Sequence, residues 1–461
     1  MATPLEQNSA AVQAASKARL LHRQKQLRQE LQQLDQRLAV LTDASNGRAC
    51  RRACSAAPWQ VEELWRVEQL HLEAVNCIAL SEGAGGLVAS GSSDSTVVVQ
   101  SAWSSTAGWP EPVALSLADG HPVTSVAFVQ LPTGFDKFGV AAAGDSPVVS
   151  IWFGRRYEDF DDDQVCEHLD IGSPVSAICA GHPVSAETGS SSACRLAVAC
   201  SDSVQIWDLL APKPTSVVKQ LEHPGPVTDL RLLSPDLVAS LCSFTSPCGD
   251  ADHFLYLWDL RESSRTAVCQ LPMSLGLGRL PGALPTPRGS RARRAAKMDA
   301  GLGGGGGVGA LLVVAGGLVF EAWELRFALR PIARCKVPPL LPTEGGSAQP
   351  AGSVVSVALE PQHCALVALS VQGIDEKAGS VLVGSLAEDE TPSFRPREGW
   401  SSAEVLDGTR VTSALRWAPS ALLGTGHAPA SSNVLVAGTD DATLLAYQIR
   451  EPGYSEEEKP G

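Results

Sequence analysis

The amino-acid sequence predicts an all-β fold built from a repeated unit and preceded by a single long α-helix. Three observations predict it. Gly (42) and Pro (31) together make about 16% of the 461 residues, against roughly 12% in an average chain, which implies many turns and hence many short strands. Beyond position 60 an apolar three-strand pattern recurs about every fifty residues. Between Ser16 and Thr42 there is no Gly or Pro, and leucine recurs every seven residues. With 44% hydrophobic and 19% charged residues, the chain has ample material for a core and does not read as a disordered polymer.

The first element is the helix expected over residues 16–42, SKARLLHRQKQLRQELQQLDQRLAVLT, between a disordered start (1–15) and a linker (43–60). Leu20, Leu27, Leu34 and Leu41 stand seven apart, and Leu31 and Leu38 follow Leu27 and Leu34 by four, which makes one seam on one face. A stripe this narrow on an otherwise polar helix needs a partner. The expected partner is a coiled-coil helix, of a second copy or of another chain; docking on the protein's own body is the alternative. Residues 1–54 carry nine basic against four acidic side chains, +5, so that the net −14 leaves −19 on the remainder. Opposite charge permits docking of arm on body, or recruitment of an acidic partner.

The repeats follow, over residues 61–450. The first four are VNCIAL (75–80), LVASGSSDS (87–95), TVVVQSAW (96–103); VTSVAF (123–128), VAAAGDS (140–146), PVVSIW (147–152); VSAIC (175–179), LAVACSDS (196–203), VQIWDL (204–209); and VTDLRLL (227–233), LVASLCS (237–243), FLYLWDLR (254–261). Later units are degenerate. ALLVVAGGLVFEAWELR (310–326) shows a second and third strand but no evident first; units over 354–386 and 411–449 make the count seven, the last with Tyr447 in the Trp position. VEELWRVEQL (61–70) has no unit of its own and is expected to be the outer strand of the last one, clasping the two ends of the repeat region together.

These units resemble the WD-repeat family. The residues that carry the resemblance are Trp207-Asp208 and Trp258-Asp259, Trp103 and Trp152 at the ends of third strands, Gly120-His121, and His71 and His223 before first strands. The resemblance implies a seven-bladed β-propeller, because four-stranded blades each expose an apolar face and must stack around an axis and close. It also implies a hydrogen-bonded His, Asp and Trp within a blade: His121, Asp145 and Trp152 fit it best, His71, Asp94 and Trp103 less tightly, and Asp202, Trp207 and His223 occupy the corresponding positions of neighbouring units.

The longest insertion, residues 272–309, reads as a disordered loop with Arg288, Arg291, Arg293, Arg294 and Lys297 as a candidate nuclear-import signal or phosphate contact. Gly301, Gly303 and Gly306 match GxGxxG only because polyglycine matches any glycine motif; with no strand before and no helix after, no dinucleotide site is expected. EDFDDDQVCEHLD (158–170) partly matches a calcium loop, but Gln164 stands where the turn needs glycine, so it reads as an acidic blade-connecting loop. The tail 451–461 reads as acidic and disordered.

No cofactor and no metal are expected. Twelve cysteines without a CxxC pair read as free thiols of a reducing compartment. The start lacks the apolar stretch of a signal peptide, and the longest uncharged run, 300–320, has nine glycines in 21 residues, so an intracellular chain, nuclear or cytoplasmic, with no membrane partner is expected. There is no GxSxG, P-loop or HExxH motif, and a non-enzymatic role is expected. The propeller and helix together imply a protein-interaction scaffold in a larger assembly. A helix followed by seven blades is similar to heterotrimeric G-protein β subunits, although the blades here are longer and lose Trp. The alternative rests on DHFLYLWDLR (252–261), which resembles the box of cullin-ligase substrate receptors; Asp252, Trp258, Asp259 and Arg261 would contact the adaptor. Nucleic-acid association through the basic segments is a further alternative, disfavoured by the overall charge.

Overall fold

The computed structural model describes residues 60–450 apart from 82–85, 103–110, 132–137, 155–165, 182–193, 211–216, 235, 246–250, 263–265, 274–295, 303–309, 318, 326–330, 332, 337–350, 361–365, 374–378, 386–393, 396–411 and 419–432. The chain divides into two compact units, Met1–Ala57 and Pro58–Gly461, and the described residues all belong to the second. The predicted helix, its seam Leu20, Leu27, Leu31, Leu34, Leu38 and Leu41, all but the last residue of the linker and the tail lie outside the described residues.

The second unit is a seven-bladed β-propeller of four-stranded antiparallel sheets. Gln60–Val67 (β1) comes first in the chain and last in the architecture. Blade one is Val75–Leu80 (β2), Leu87–Ser92 (β3), Thr96–Ser101 (β4) and Val113–Ser116 (β5); blade two is Val123–Gln130 (β6), Phe138–Gly144 (β7), Val148–Gly154 (β8) and Cys166–Asp170 (β9). Blade three is Val175–Ala180 (β10), Arg195–Cys200 (β11), Ser203–Asp208 (β12) and Val217–Glu222 (β13); blade four is Val227–Ser234 (β14), Leu237–Thr245 (β15), Ala251–Asp259 (β16) and Cys269–Met273 (β17). Blade five is Lys297–Leu302 (β18), Ala310–Gly316 (β19), Val319–Glu324 (β20) and Ala333–Lys336 (β21); blade six is Ala351–Leu359 (β22), Leu366–Gly373 (β23), Gly379–Ser385 (β24) and Phe394–Arg395 (β25). Blade seven is Thr412–Ala418 (β26), Asn433–Thr439 (β27) and Leu444–Arg450 (β28), completed by β1, which pairs antiparallel with β28 from Gln60 opposite Arg450 to Val67 opposite Leu444.

Strand alternation decides where the core lies. Middle strands such as β3 and β19 are small or apolar throughout because both faces of each sheet are covered by neighbouring blades. Apolar clusters accordingly sit between blades: Leu87, Val97, Val126 and Trp152 join blades one and two, Ile151, Leu169, Ile178 and Trp207 join two and three, and Trp65, Val75, Val436 and Leu444 join seven and one.

Four sequence expectations are corrected. Blade five has a first strand, β18, which begins at Lys297 and precedes the polyglycine run, so the insertion predicted over 272–309 is shortened at both ends by β17 and β18. Lys297 thereby leaves the candidate basic segment; Arg288, Arg291, Arg293 and Arg294 lie outside the described residues. The closing position of blade one is Gln100, paired with Val88 as Trp152 pairs with Val140 and Trp207 with Leu196. Trp103, three residues beyond it, is outside the described residues. Glu167 and Asp170, read as part of an acidic loop, lie on β9 as outer-strand residues.

Candidate interaction sites: the axial channel and the blade rim

The propeller is internally fastened by histidine slots in two blades. His223, four residues before Val227, places Nε2 2.6 Å from Ser240 Oγ on the middle strand, and Trp258 Nε1 donates to the same oxygen at 3.0 Å. His223 Nδ1 lies 3.2 Å from the Leu221 carbonyl, so Nδ1 carries the proton and Nε2 accepts from Ser240. Burial drives the His223 pKa down to about 4, which keeps the ring neutral. In blade one His71, four residues before Val75, repeats the arrangement: Nε2 is 2.8 Å from Ser90 Oγ and Nδ1 2.8 Å from Thr96 Oγ1, whose own hydroxyl donates to Asp94 Oδ1 at 2.6 Å.

His121 does not form this slot. It stands two residues before Val123 rather than four and is exposed, as is Asp145; the middle-strand position that carries Ser90 and Ser240 is Ala142 in blade two, which offers no hydroxyl. Trp152 is buried between blades one and two. The Asp202 side chain is exposed, and its backbone carbonyl accepts from the His223 N–H at 2.7 Å. Trp207 is buried with Nε1 bonded to nothing among the described residues. The blades thus keep the closing aromatic for packing after losing the polar slot.

The inner strands of all seven blades line an axial cavity of about 70 Å³ that is open to solvent. Around it a side chain bonds the backbone of the adjoining blade at every interface. Asn76 Nδ2 donates to the Val123 carbonyl at 3.0 Å, Ser125 Oγ accepts from the Ile178 N–H at 3.0 Å, and Ser176 Oγ donates to the Val227 carbonyl at 2.7 Å. Asp229 Oδ2 accepts from Met298 N–H and Asp299 Oδ2 from Leu359 N–H, each at 2.9 Å; Ser356 Oγ accepts from Leu415 N–H at 3.1 Å, and Ser413 Oγ closes the ring onto the Val75 carbonyl. Bulges at Val75/Cys77, Val175/Ala177 and Thr412/Ala414 supply three of these residues, Asn76, Ser176 and Ser413, as the extra residue of the inner strand.

Four charged side chains, Asp229, Arg231, Lys297 and Arg416, line the same cavity, and a fifth, Asp299, adjoins it through Arg231. Arg231 Nη1 is 3.0 Å from Asp229 Oδ1 and its Nε is 3.1 Å from Asp299 Oδ1, while Lys297 and Arg416 complete the set. Burial alone would raise the Asp229 pKa, but the Arg231 guanidinium holds it below the ordinary carboxylate range. Sequence reading missed this constellation. The signal was present as charges inside otherwise apolar first strands, VTDLRLL and VTSALRW.

At the rim, Trp258 is buried, whereas Asp259 and Arg261 are at the surface. The Arg261 guanidinium, its side chain 71% exposed, is gripped by Asp259 through Nε at 3.0 Å and Nη2 at 2.6 Å, and these bonds lower the Asp259 pKa to about 2. Asp252 is on β16, opposite Phe244. Beside them, Lys219 of β13 donates Nζ to the carbonyls of Asp259 and Glu262, tying blade three to blade four. Val217, Val218 and Val268, on or next to the outer strands of these two blades, are 40%, 55% and 59% exposed.

Among the described residues no group of three His, Cys, Asp or Glu side chains could hold a metal ion. Burial pushes the Cys77 and Cys194 thiols up to about 12, leaving them protonated at neutral pH. Compared with known proteins, the chain matches no family model and no curated protein.

Proposed function

We propose that this chain is a non-enzymatic, WD-repeat-type interaction scaffold, an intracellular subunit of a larger assembly that is joined through its N-terminal helix and presents the propeller to a second protein. The observation that carries the reading is the rim of blades three and four, where three valines stand exposed on or next to the outer strands of a closed, internally fastened body. The hydrogen-bonded sets His71–Ser90 and His223–Ser240–Trp258 support the WD-repeat assignment. Replacing Leu27, Leu31, Leu34 and Leu38 together by Ser is expected to lower the assembly mass seen by sedimentation while leaving the propeller's melting transition in place. An unchanged mass would argue that the arm is not the assembly contact.

A second reading, a substrate receptor of a cullin-based ubiquitin ligase, is favoured by one observation: Arg261, directly after Trp258-Asp259-Leu260, carries its guanidinium at the surface. Arg261→Glu should then abolish co-purification with the ligase adaptor. Undiminished adaptor binding by that variant would discard the reading.

A further inference from the structure

Register places the channel charges on two levels. Leu230, Met298 and Leu415 pair with Ser240, Val314 and Ala437, equivalent positions of their middle strands, so Arg231, Asp299 and Arg416, the next residues, share one level. The other blades contribute Ala79, Ala127, Cys179 and Ala358 to that level, all small, which leaves room about the axis. Asp229 and Lys297 lie two residues earlier on their strands, on the level that also carries Ser356.

The cations are not equally compensated. Arg231 has both carboxylates, at 3.0 and 3.1 Å. Lys297 makes no ion pair within 4 Å among the described residues, though its charge acts on Asp229. Among the described residues Arg416 has only one hydrogen bond, to the neighbouring Leu415 carbonyl, 3.1 Å from Nη1. It comes from blade seven, yet its charge acts on Cys77 of blade one and Cys179 of blade three, as befits a guanidinium reaching to the axis. Burial first, and then the like charge of Arg231, pull its pKa below the ordinary arginine value. Asp299 and Asp229 offset this only in part, from beyond ion-pair distance, and a half-buried cation so placed gains from a carboxylate brought into contact with it.

We propose that Arg416, with Lys297 and the Ser356 hydroxyl, binds a single carboxylate group in the axial channel. Charge selects the ligand: three cations face two aspartates, so one carboxylate brings the set to neutrality, whereas a phosphate dianion would overshoot. Geometry agrees, because a guanidinium takes a carboxylate through two parallel N–H bonds. Ser356 Oγ accepts from the Leu415 N–H and keeps its own proton to donate. The carboxylate can arrive on a small metabolite-sized acid or on the side chain of an acidic peptide.

The test uses the full chain, wild type, Arg416→Gln and Arg416→Lys, with calorimetric titration and thermal melting at constant ionic strength. The probes are acetate, succinate, a capped five-residue peptide with one central Glu, and inorganic phosphate. Without probe, Arg416→Gln should melt at or above the wild-type temperature, since a cation that burial and Arg231 disfavour, and that Asp229 and Asp299 offset only in part, is gone. At least one carboxylate probe should bind wild type saturably, tenfold or more weaker in Arg416→Gln, with Arg416→Lys in between, and phosphate should bind more weakly than the carboxylate. Binding by acetate or succinate names a small acid as the source; binding by the peptide alone names a partner's side chain. No saturable carboxylate binding, or equal binding to wild type and Arg416→Gln, overturns the proposal. If Arg416→Gln does not fold, Arg416→Lys carries the comparison, and carboxylate affinity within twofold of wild type in that variant is the overturning result.

Discussion

At the scale of single residues, one hydroxyl organises blade four. Trp258 Nε1–H points at Ser240 Oγ, Ser240 O–H points at His223 Nε2, and His223 Nδ1–H points at the Leu221 carbonyl, so every proton in the chain has one place to go. Trp207, equally buried, packs without a partner for its indole N–H. Trp258→Phe should therefore cost about 1–2 kcal/mol more than Trp207→Phe, the difference being a hydrogen bond lost from a buried hydroxyl, read from urea midpoints. Equal losses would mean that the bond contributes nothing. Protonation of His223 would set an N–H against the Ser240 O–H. With its pKa at about 4 in the fold against 6.5 in the unfolded chain, the unfolded state takes up the proton first as pH falls. Stability is fully present above pH 6.5 and is lost between 6.5 and 4, by about 3 kcal/mol for this group. Comparing unfolding free energies of wild type and His223→Asn across that window should show a shallower slope in the variant; identical slopes would remove His223 from the account.

At the scale of elements, blades meet through glycine where an inner strand of the next blade comes close. A Cβ on Gly438 of β27 would lie 2.5 Å from Val75 Cγ1 and 3.0 Å from its Cβ, and one on Gly91 of β3 would meet Val123 and fall 2.7 Å from the Cys77 sulfur. Gly438→Ala should destabilise by about 1–3 kcal/mol, as overpacking of a fixed interface does. A neutral result in thermal melts would show that the seventh and first blades can slide apart. Such strands were legible because their first residues, Val75, Val123, Val175 and Val227, are apolar and their middle strands are small throughout. KMDAGL was not, because it lacks the V-x-x-[VIL] opening of the first strands of blades one to four: Lys297 and Asp299 leave only Met298, Ala300 and Leu302 alternating, directly before the polyglycine run. His121 misled for a related reason: the Gly-His pair is intact in sequence, but the slot depends on spacing to the strand and on a hydroxyl two strands' width away, where blade two has Ala142. The channel charges were hidden differently, since Asp229, Arg231, Asp299 and Arg416 come from three separated units and only the closed ring brings them together.

At the scale of the whole propeller, stability depends on closing a ring rather than on any one sheet. Each interface has an apolar contact and a side-chain bond to the next backbone, and the seventh is completed only when β1 returns to cover β28. Trp65 of β1 packs there with Val75 and Leu444, so the same strand both seals a sheet edge and joins the core between blades seven and one. Deleting residues 60–70 would leave the N–H and C=O row of β28 unpaired over seven residues and expose Tyr447, now 2% accessible. The expected result is a lower, broader melting transition, together with concentration-dependent association as β28 edges of two molecules pair. A synthetic peptide of residues 60–70, added in excess, should restore the sharp transition in proportion to the logarithm of its concentration, because it binds the native edge and not the unfolded chain. Calorimetry and sedimentation decide the matter: a truncated chain that melts like wild type, or one that the peptide cannot rescue, would mean that closure is secured elsewhere in the ring.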